Sequence, residues 1–367
     1  MSMPPASQTD PRLLTIAQRF TSQKIQSLTP LGNGNINTTY LATTTTQQKF
    51  VLQRINSQVF PHPKQVIQNM VQLTNHLKTT HPPNHRWETP KILPTQTGQN
   101  HWQDENEQYW RAITFIKNAH VLESIQNPTH AKEIGHGLAT FHHLISTLNP
   151  DTLTDTLPGF HITPTYLAAY EQILETSPRC DTKNQLIRYC LETIDQRKTF
   201  AHTLENAKAA GHLQLRPIHG DPKVNNIMLD DNGKAVSLID LDTLKPGLIH
   251  YDIGDCLRSG CNPLGEETEN WQAVTFDTSL AKAMLEGYLT ASKTFLTPAD
   301  YDYLYDAIRL IAFELGLRFF TDYLAGDTYF KVTHPTHNLT RALVQFKLTE
   351  SIEAQEDTLK AIIQSLR

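Results

Sequence analysis

One segment constrains this chain more than any other. Between Pro217 and Ile239 a long helical pattern is interrupted by a polar loop and two short β-prone runs. The runs cover residues 226–229 and 235–239, and an Asp-Asn-Gly turn lies between them, which is a hairpin signal. The loop reads His219-Gly220-Asp221-Pro222-Lys223-Val224-Asn225-Asn226, and the second run ends in Leu238-Ile239-Asp240-Leu241-Asp242. Phosphoryl transfer asks a protein mainly for positioning and charge neutralisation. It needs a carboxylate near the attacking hydroxyl, hard oxygen ligands for magnesium and a cation near the transferred phosphate. These residue types meet each demand. Asp221 can accept the hydroxyl proton. Asn226 and Asp240 can offer oxygen to one Mg2+, with Asp242 as an alternative ligand two residues on. Lys223 can reach the γ-phosphate.

The order His-x-Asp-x-x-x-x-Asn, followed by an apolar strand ending in Asp, resembles the catalytic loop of protein kinases and of aminoglycoside and choline phosphotransferases. Gly220 stands where protein kinases carry arginine, and Ile-Asp-Leu-Asp stands where they carry Asp-Phe-Gly. Both differences point to the small-molecule branch. His219 then reads as a buried support of the loop rather than a base.

A second resemblance covers nearly the whole chain. The segments LGNGNINTTY, FVLQRIN, YWRAITFI, IDLDTLKPGLIHYDIGDCLRSG and LRFFTDYLAGDTYFKVTHPTHNLTRALVQFKL resemble the N-acetylhexosamine 1-kinases of the phosphotransferase family. The resemblance implies ATP and Mg2+ as cofactors and the anomeric hydroxyl of an amino sugar as acceptor. It also implies that Asp252 anchors the catalytic loop and that Arg318 and Tyr329 face the sugar. Glu314, Arg318 and Asp322 are spaced i, i+4 on one predicted helix, so surface ion pairs are the alternative for Arg318.

The flanking pattern fits an α+β, protein-kinase-like fold of two lobes. A small antiparallel-sheet, nucleotide-binding lobe is expected over residues 1–117, and a larger helical, catalytic and substrate-binding lobe over 118–367. In the first part, residues 11–20 have the spacing of a short amphipathic helix. Runs 37–43 and 49–55 read as a hairpin, 64–78 as a helix, and 91–93 and 109–116 as strands. Beyond residue 118, helices are predicted over 131–148, 163–174, 183–209, 277–293 and 300–323.

Gly32-Asn33-Gly34-Asn35-Ile36-Asn37 resembles a phosphate-covering glycine loop. Without side chains at Gly32 and Gly34 the backbone can approach phosphates closely; a simple turn is the alternative. Asn37 occupies the third glycine of a dinucleotide fingerprint and a strand follows, so that reading fails. There is no GxxxxGK[ST] either. Protein kinases place a phosphate-binding lysine on the third strand. Here the stretch is Val51-Leu52-Gln53-Arg54, which offers Arg54 for that task or as a surface cation. The predicted helix 64–78 contains no glutamate to pair with it.

The formal net charge is −5, without the basic excess of a nucleic-acid binder. No apolar segment is long and uncharged enough to span a bilayer, and the N-terminus lacks a signal-peptide pattern. The four cysteines form no CxxC pair, so reduced thiols in a cytoplasmic protein are expected. Seventeen histidines occur without an HExxH motif, so packing and surface roles are expected for them. Three functions compete: a sugar 1-kinase, a same-fold kinase of an aminoglycoside, choline or amino alcohol, and an inactive nucleotide-binding module. A cationic acceptor would call for an acidic pocket, for which Glu266, Glu267 and Glu269 are the candidate run.

Overall fold

A computed structural model describes residues 10–32, 36–80, 84–125 and 127–367. The hairpin expected over 37–43 and 49–55 forms, as part of a larger sheet. Helix α1 (Pro11–Gln18) opens on Asp10, whose side chain accepts from the N–H of Arg12, with Pro11 at the first helical position, the residue best suited there. Strands β1 (Ile25–Pro30), β2 (Thr38–Thr44) and β3 (Lys49–Arg54) follow, then helix α2 (Pro63–Leu77) and strands β4 (Ile92–Leu93), β5 (Trp102–Gln103) and β6 (Tyr109–Thr114). They form an antiparallel sheet in the order β1-β2-β3-β6-β4, with β5 also on β6. Alternation sorts the side chains. Phe50, Leu52, Trp110 and Ala112 pack with Ile16, Ala17 and Phe20 on the α1 side. Val51, Gln53 and Arg111 therefore face the other way, toward α2.

The helical part begins after the short strand β7 (His120–Val121). Its elements are α3 (Pro128–Ile145), α4 (Thr163–Leu174), α5 (Gln185–Arg197), α6 (Thr203–Ala209), β8 (Arg216–Ile218), β9 (Ile227–Leu229), β10 (Ala235–Leu238) and β11 (Lys245–Gly247). Then come α7 (Ile249–Gly260), α8 (Thr278–Ser292), α9 (Pro298–Asp302), α10 (Leu304–Leu324), α11 (His337–Glu353) and α12 (Glu356–Leu366). The β9–β10 hairpin pairs with β7, and β8 pairs with β11. Two cores support this part. One gathers α3, α7, α8 and α12 under the hairpin, and the other packs α10 against α4, α5 and α11. The fold is α+β, as expected.

Two predicted helices divide. Residues 183–209 form α5 and α6, separated by a 3-10 turn at Phe200–His202, where Ala201 is buried and Phe200 meets Phe313 edge to face with centroids 5.2 Å apart. Residues 300–323 form α9 and α10, and α9 starts from a Thr297–Asp300 capping box. The sequence reading also gives no helix for α7, α11 or α12. In α7, Asp252, Asp255 and Arg258 are buried, and in α11 Asn338, Arg341 and Gln345 are. Buried polar residues erase the apolar periodicity from which a helix is read. Among the described residues, no helix is long and apolar enough to cross a membrane, and the four cysteines are unbridged.

Candidate active site

Strand β8 delivers the chain into a loop whose backbone is fixed from below. The Asp252 carboxylate, on α7, accepts the N–H of His219 at 2.7 Å and of Gly220 at 2.8 Å, and also accepts from His142 Nε2 at 2.8 Å. Burial pushes the Asp252 pKa upward, but the hydrogen bonds and charge of His142 and the loop amides outweigh it and leave it lowered. His219 Nδ1 accepts the N–H of Asp221 at 3.2 Å, so its proton sits on Nε2, which donates to the carbonyl of Ile239 at 2.8 Å. Burial lowers its pKa. A neutral imidazole with both nitrogens occupied is a brace for the loop.

Gly220 has φ +91°, and a Cβ there would lie 2.6 Å from the carbonyl oxygen of Thr243. A side chain is excluded both by the torsion and by Thr243, in the 3-10 turn Leu241–Thr243. The arginine of protein kinases could not occupy this position.

The loop turns Asp221 and Lys223 toward each other, with Nζ 3.0 Å from Oδ2. The charge of Asp221 raises the Lys223 pKa against its burial. Asn226 donates its Nδ2 to the Asp221 carbonyl at 2.8 Å. This bond fixes the amide, and Oδ1 accepts no hydrogen bond from the described residues. Asp240 follows β10 in the left-handed region, at φ 63° and ψ 57°. Its carboxylate is exposed in the cleft and takes no hydrogen bond from the described residues. Desolvation by the cleft walls, then Asp242 and Asp221, push its pKa up to about 7. Water still reaches this group, so the crowding of like charges is the firmer cause. An amide oxygen and an unpartnered carboxylate among further carboxylates form a hard-oxygen donor set that suits Mg2+.

Asp242 is differently placed. Its Oδ1 pairs with Arg111 of β6, and its Oδ2 accepts from Asn37 Nδ2 at 2.5 Å. The Oδ1 of Asn37 accepts the N–H of Asn56 at 3.0 Å, so that side chain is committed on both sides. Gly32 has φ 71°; Gly34 lies outside the described residues. Arg54 is exposed at the end of β3, on the opposite side of the strand from Gln53, and donates to Thr38 Oγ1 at 3.0 Å. The cleft side of β3 instead carries Gln53, whose Oε1 accepts from Arg111 at 2.8 and 3.0 Å.

On the other flank, α10 presents Glu314 and, one turn later, Arg318. Glu314 is buried and binds His161 Nδ1 at 2.9 Å and Thr163 Oγ1 at 2.7 Å. His161 Nε2 in turn donates to the carbonyl of Gly220 at 2.7 Å, so α10 also holds this loop. The Arg318 guanidinium is framed by the rings of Phe160, Tyr166, Phe330 and Tyr329 at 5.0, 5.0, 5.4 and 5.9 Å. It makes no ion pair or hydrogen bond with the described residues. Asp322 does not pair with it either. That carboxylate accepts the N–H groups of Thr328, Tyr329 and Phe330 at 2.9, 2.8 and 3.0 Å, which sets the two rings over Arg318.

The acidic run is spent elsewhere: Glu266 pairs with Arg258, Glu267 with Arg341 and His337, and Glu269 with His334.

The sequence reading missed Arg111, Gln53 and His161. Arg111 had a signal, being a lone charge in the apolar run of β6.

The family model described as the phosphotransferase enzyme family matches residues 27–296. The chain belongs to this family. Solved structures agree on the kinase-like fold of this phosphotransferase family member. An aminoglycoside phosphotransferase from Alicyclobacillus acidocaldarius is 16% identical, with 98% of each chain covered and a TM-score of 0.66. An amicoumacin kinase in complex with AMP-PNP and Ca2+ is 14% identical over 94% of this chain and 93% of that one, with a TM-score of 0.60. A choline kinase from Cryptosporidium parvum is 14% identical over 92% of each, with a TM-score of 0.58. Family and site chemistry meet in one coarse statement: this phosphotransferase acts on a hydroxyl of a small molecule.

Proposed function

We propose that the chain is an ATP- and Mg2+-dependent kinase that phosphorylates the anomeric hydroxyl of a sugar such as an N-acetylhexosamine. The observation that carries the reading is Arg318, a guanidinium framed by four aromatic rings and without a carboxylate partner. Such a group can fork two hydrogen bonds to adjacent sugar oxygens, and the rings can stack on the apolar faces of a pyranose. Tyr329, half exposed beside it, can donate and accept. A cationic acceptor would meet repulsion here.

Asp221 is the proton acceptor in this reading. The acceptor oxygen attacks the γ-phosphorus, its proton passes to Asp221, and the bond from the γ-phosphorus to the β–γ bridging oxygen breaks to release ADP. Lys223 lies within reach of the transferred group once it turns from Asp221. Asn226 and Asp240 would hold Mg2+, which offsets charge on the phosphate oxygens. Asp252 and His219 keep the loop in place, and Gly32 with its neighbours would cover the phosphates.

A kinase of an aminoglycoside, choline or amino alcohol is the second reading, favoured by what the similar solved structures are named for. One experiment separates the two. ADP release is measured with ATP and Mg2+ across N-acetylhexosamines, neutral hexoses, choline and aminoglycosides. The sugar reading requires turnover on a hexose, and a product phosphate that mild acid releases readily, as a glycosyl phosphate does. An acid-stable product, or turnover on cationic acceptors alone, overturns it.

A further inference from the structure

Protein kinases couple their two lobes through a strand lysine paired with a helix glutamate. That pair has no counterpart here. Gln53 lies on the cleft side of β3, and α2, Pro63–Leu77, contains neither Asp nor Glu. The helix docks instead through Asn69, whose Nδ2 donates to the carbonyls of Leu244 at 2.8 Å and Thr154 at 2.7 Å. Helix and strand therefore supply no ion pair to this cleft.

A different pair crosses it. Arg111 comes from the middle of the sheet and Asp242 from the 3-10 turn that follows β10, and their side chains are 1% and 3% exposed. Each is satisfied by named partners. Arg111 donates to Gln53 Oε1 from Nε and Nη2, and its Nη1 lies 3.1 Å from the sulfur of Met70 on α2. The remaining contact is to Asp242 Oδ1. The second oxygen of Asp242 accepts from Asn37, just before β2, and its backbone carbonyl accepts from Thr156 Oγ1 at 2.8 Å.

A buried ion pair of this kind contributes little net stability, because desolvation offsets the attraction. It is better suited to fixing geometry. Asp240 stands two residues before Asp242 in a left-handed conformation that a non-glycine residue adopts only when its surroundings impose it. The bridge is one of the contacts that hold the chain immediately after Asp240, beside those of Asn37 and Thr156.

We propose that Arg111 and Asp242 replace the lysine–glutamate pair of protein kinases, and that Asp242 is a positioning residue which sets the Asp240 carboxylate against the sheet and Asn37. Asp242 is accordingly not a metal ligand. The inference rests on the reading of the chain as a nucleotide- and Mg2+-dependent phosphotransferase, but not on the identity of the acceptor.

The test is metal binding without turnover. Mn2+ is titrated calorimetrically into the full chain saturated with a non-hydrolysable ATP analogue, and Tm is recorded for each variant. Asp242→Asn and Arg111→Lys should both weaken Mn2+ by about 10–100-fold, the range for residues that orient a metal ligand. The double variant Arg111→Met with Asp242→Leu removes both charges together, so Tm should recover relative to the single variants. Its Mn2+ affinity should stay weak.

Recovery of both Tm and Mn2+ affinity in the double variant would mean a structural pair only and overturns the proposal. So does loss of Mn2+ binding in Asp242→Asn as complete as in Asp240→Ala, with Arg111→Lys unchanged, since Asp242 would then be a ligand. If Asp242→Asn does not fold, Arg111→Lys and the double variant decide. Wild-type chain that binds neither nucleotide nor Mn2+ would overturn the phosphotransferase reading itself. Binding by the wild type with unaltered affinity in the variants would overturn only this inference.

Discussion

The ammonium of Lys223 stands 3.0 Å from the Oδ2 of Asp221, two residues apart on one loop. The contact orients the carboxylate before an acceptor arrives. Asp221→Asn is nearly isosteric, so the fold and ATP binding should persist while the proton acceptor is lost. General-base assistance is worth about 10²–10⁴-fold, and kcat should fall by at least the lower bound. Steady-state kinetics beside a nucleotide-binding titration check this. Near-normal turnover would assign the role to another group.

Asp240 gives a prediction in pH. Its folded-state pKa, about 7, lies above the ordinary carboxylate value of 3.8. Between those values the folded chain binds the proton more tightly than the unfolded chain, so stability falls as pH rises through that window. Asp240→Asn removes the penalty. Without metal, the variant should melt above the wild type at pH 8, and the two should converge toward pH 4. Adding Mg2+ and ATP should raise the wild-type Tm at pH 8 and not that of the variant. A thermal-shift series over pH reads all three outcomes, and a wild type as stable as the variant at pH 8 would remove the crowded-carboxylate account.

Gly220 should tolerate no side chain. Gly220→Ala forces a Cβ against Thr243 at a positive φ. Backbone strain of this kind costs about 1–3 kcal/mol, and the loop should shift to relieve it. Urea unfolding should show that loss, with kcat reduced although no catalytic side chain has been touched. An Ala variant with unchanged stability and kcat would contradict the geometry.

Arg318→Ala should raise KM for the acceptor, or lower kcat/KM, with little change in KM for ATP. Asp322→Asn should act in the same direction through the loop that carries Tyr329 and Phe330, since the three backbone N–H groups it receives would lose a charged acceptor. Initial-rate kinetics with each substrate varied in turn separate the two KM effects. Equal changes in both would place Arg318 outside the acceptor site.

His161 adds a stability prediction of opposite sign to that of a buried neutral histidine. Burial alone would lower its pKa, but Glu314 outweighs it and raises it above 6.5. The stabilisation is therefore complete below pH 6.5 and is lost as pH rises through the folded-state value. His161→Gln should lose more Tm at pH 6 than at pH 9. A difference independent of pH would show that His161 is not charged in the folded chain.

The sequence by itself determined the local chemistry. Asp221, Asn226 and Asp240 fall within one loop–hairpin segment, where order and spacing along the chain are already geometry, and the flanking strands and helices follow from periods of two and 3.6. The alternation that located β3 also decides which of Gln53 and Arg54 faces the cleft, yet only the paired sheet tells one side from the other. The helices α7 and α11 were hidden because their buried faces carry charges whose partners come from elsewhere in the fold.

Tertiary structure alone decided how distant groups meet. Asp252 reaches the loop from 33 residues downstream of His219, Glu314 from 153 residues beyond His161, and Asp242 meets Arg111 across 131 residues. Such pairs leave no periodic trace in the chain, because a buried charge is stable only beside a partner that folding brings to it.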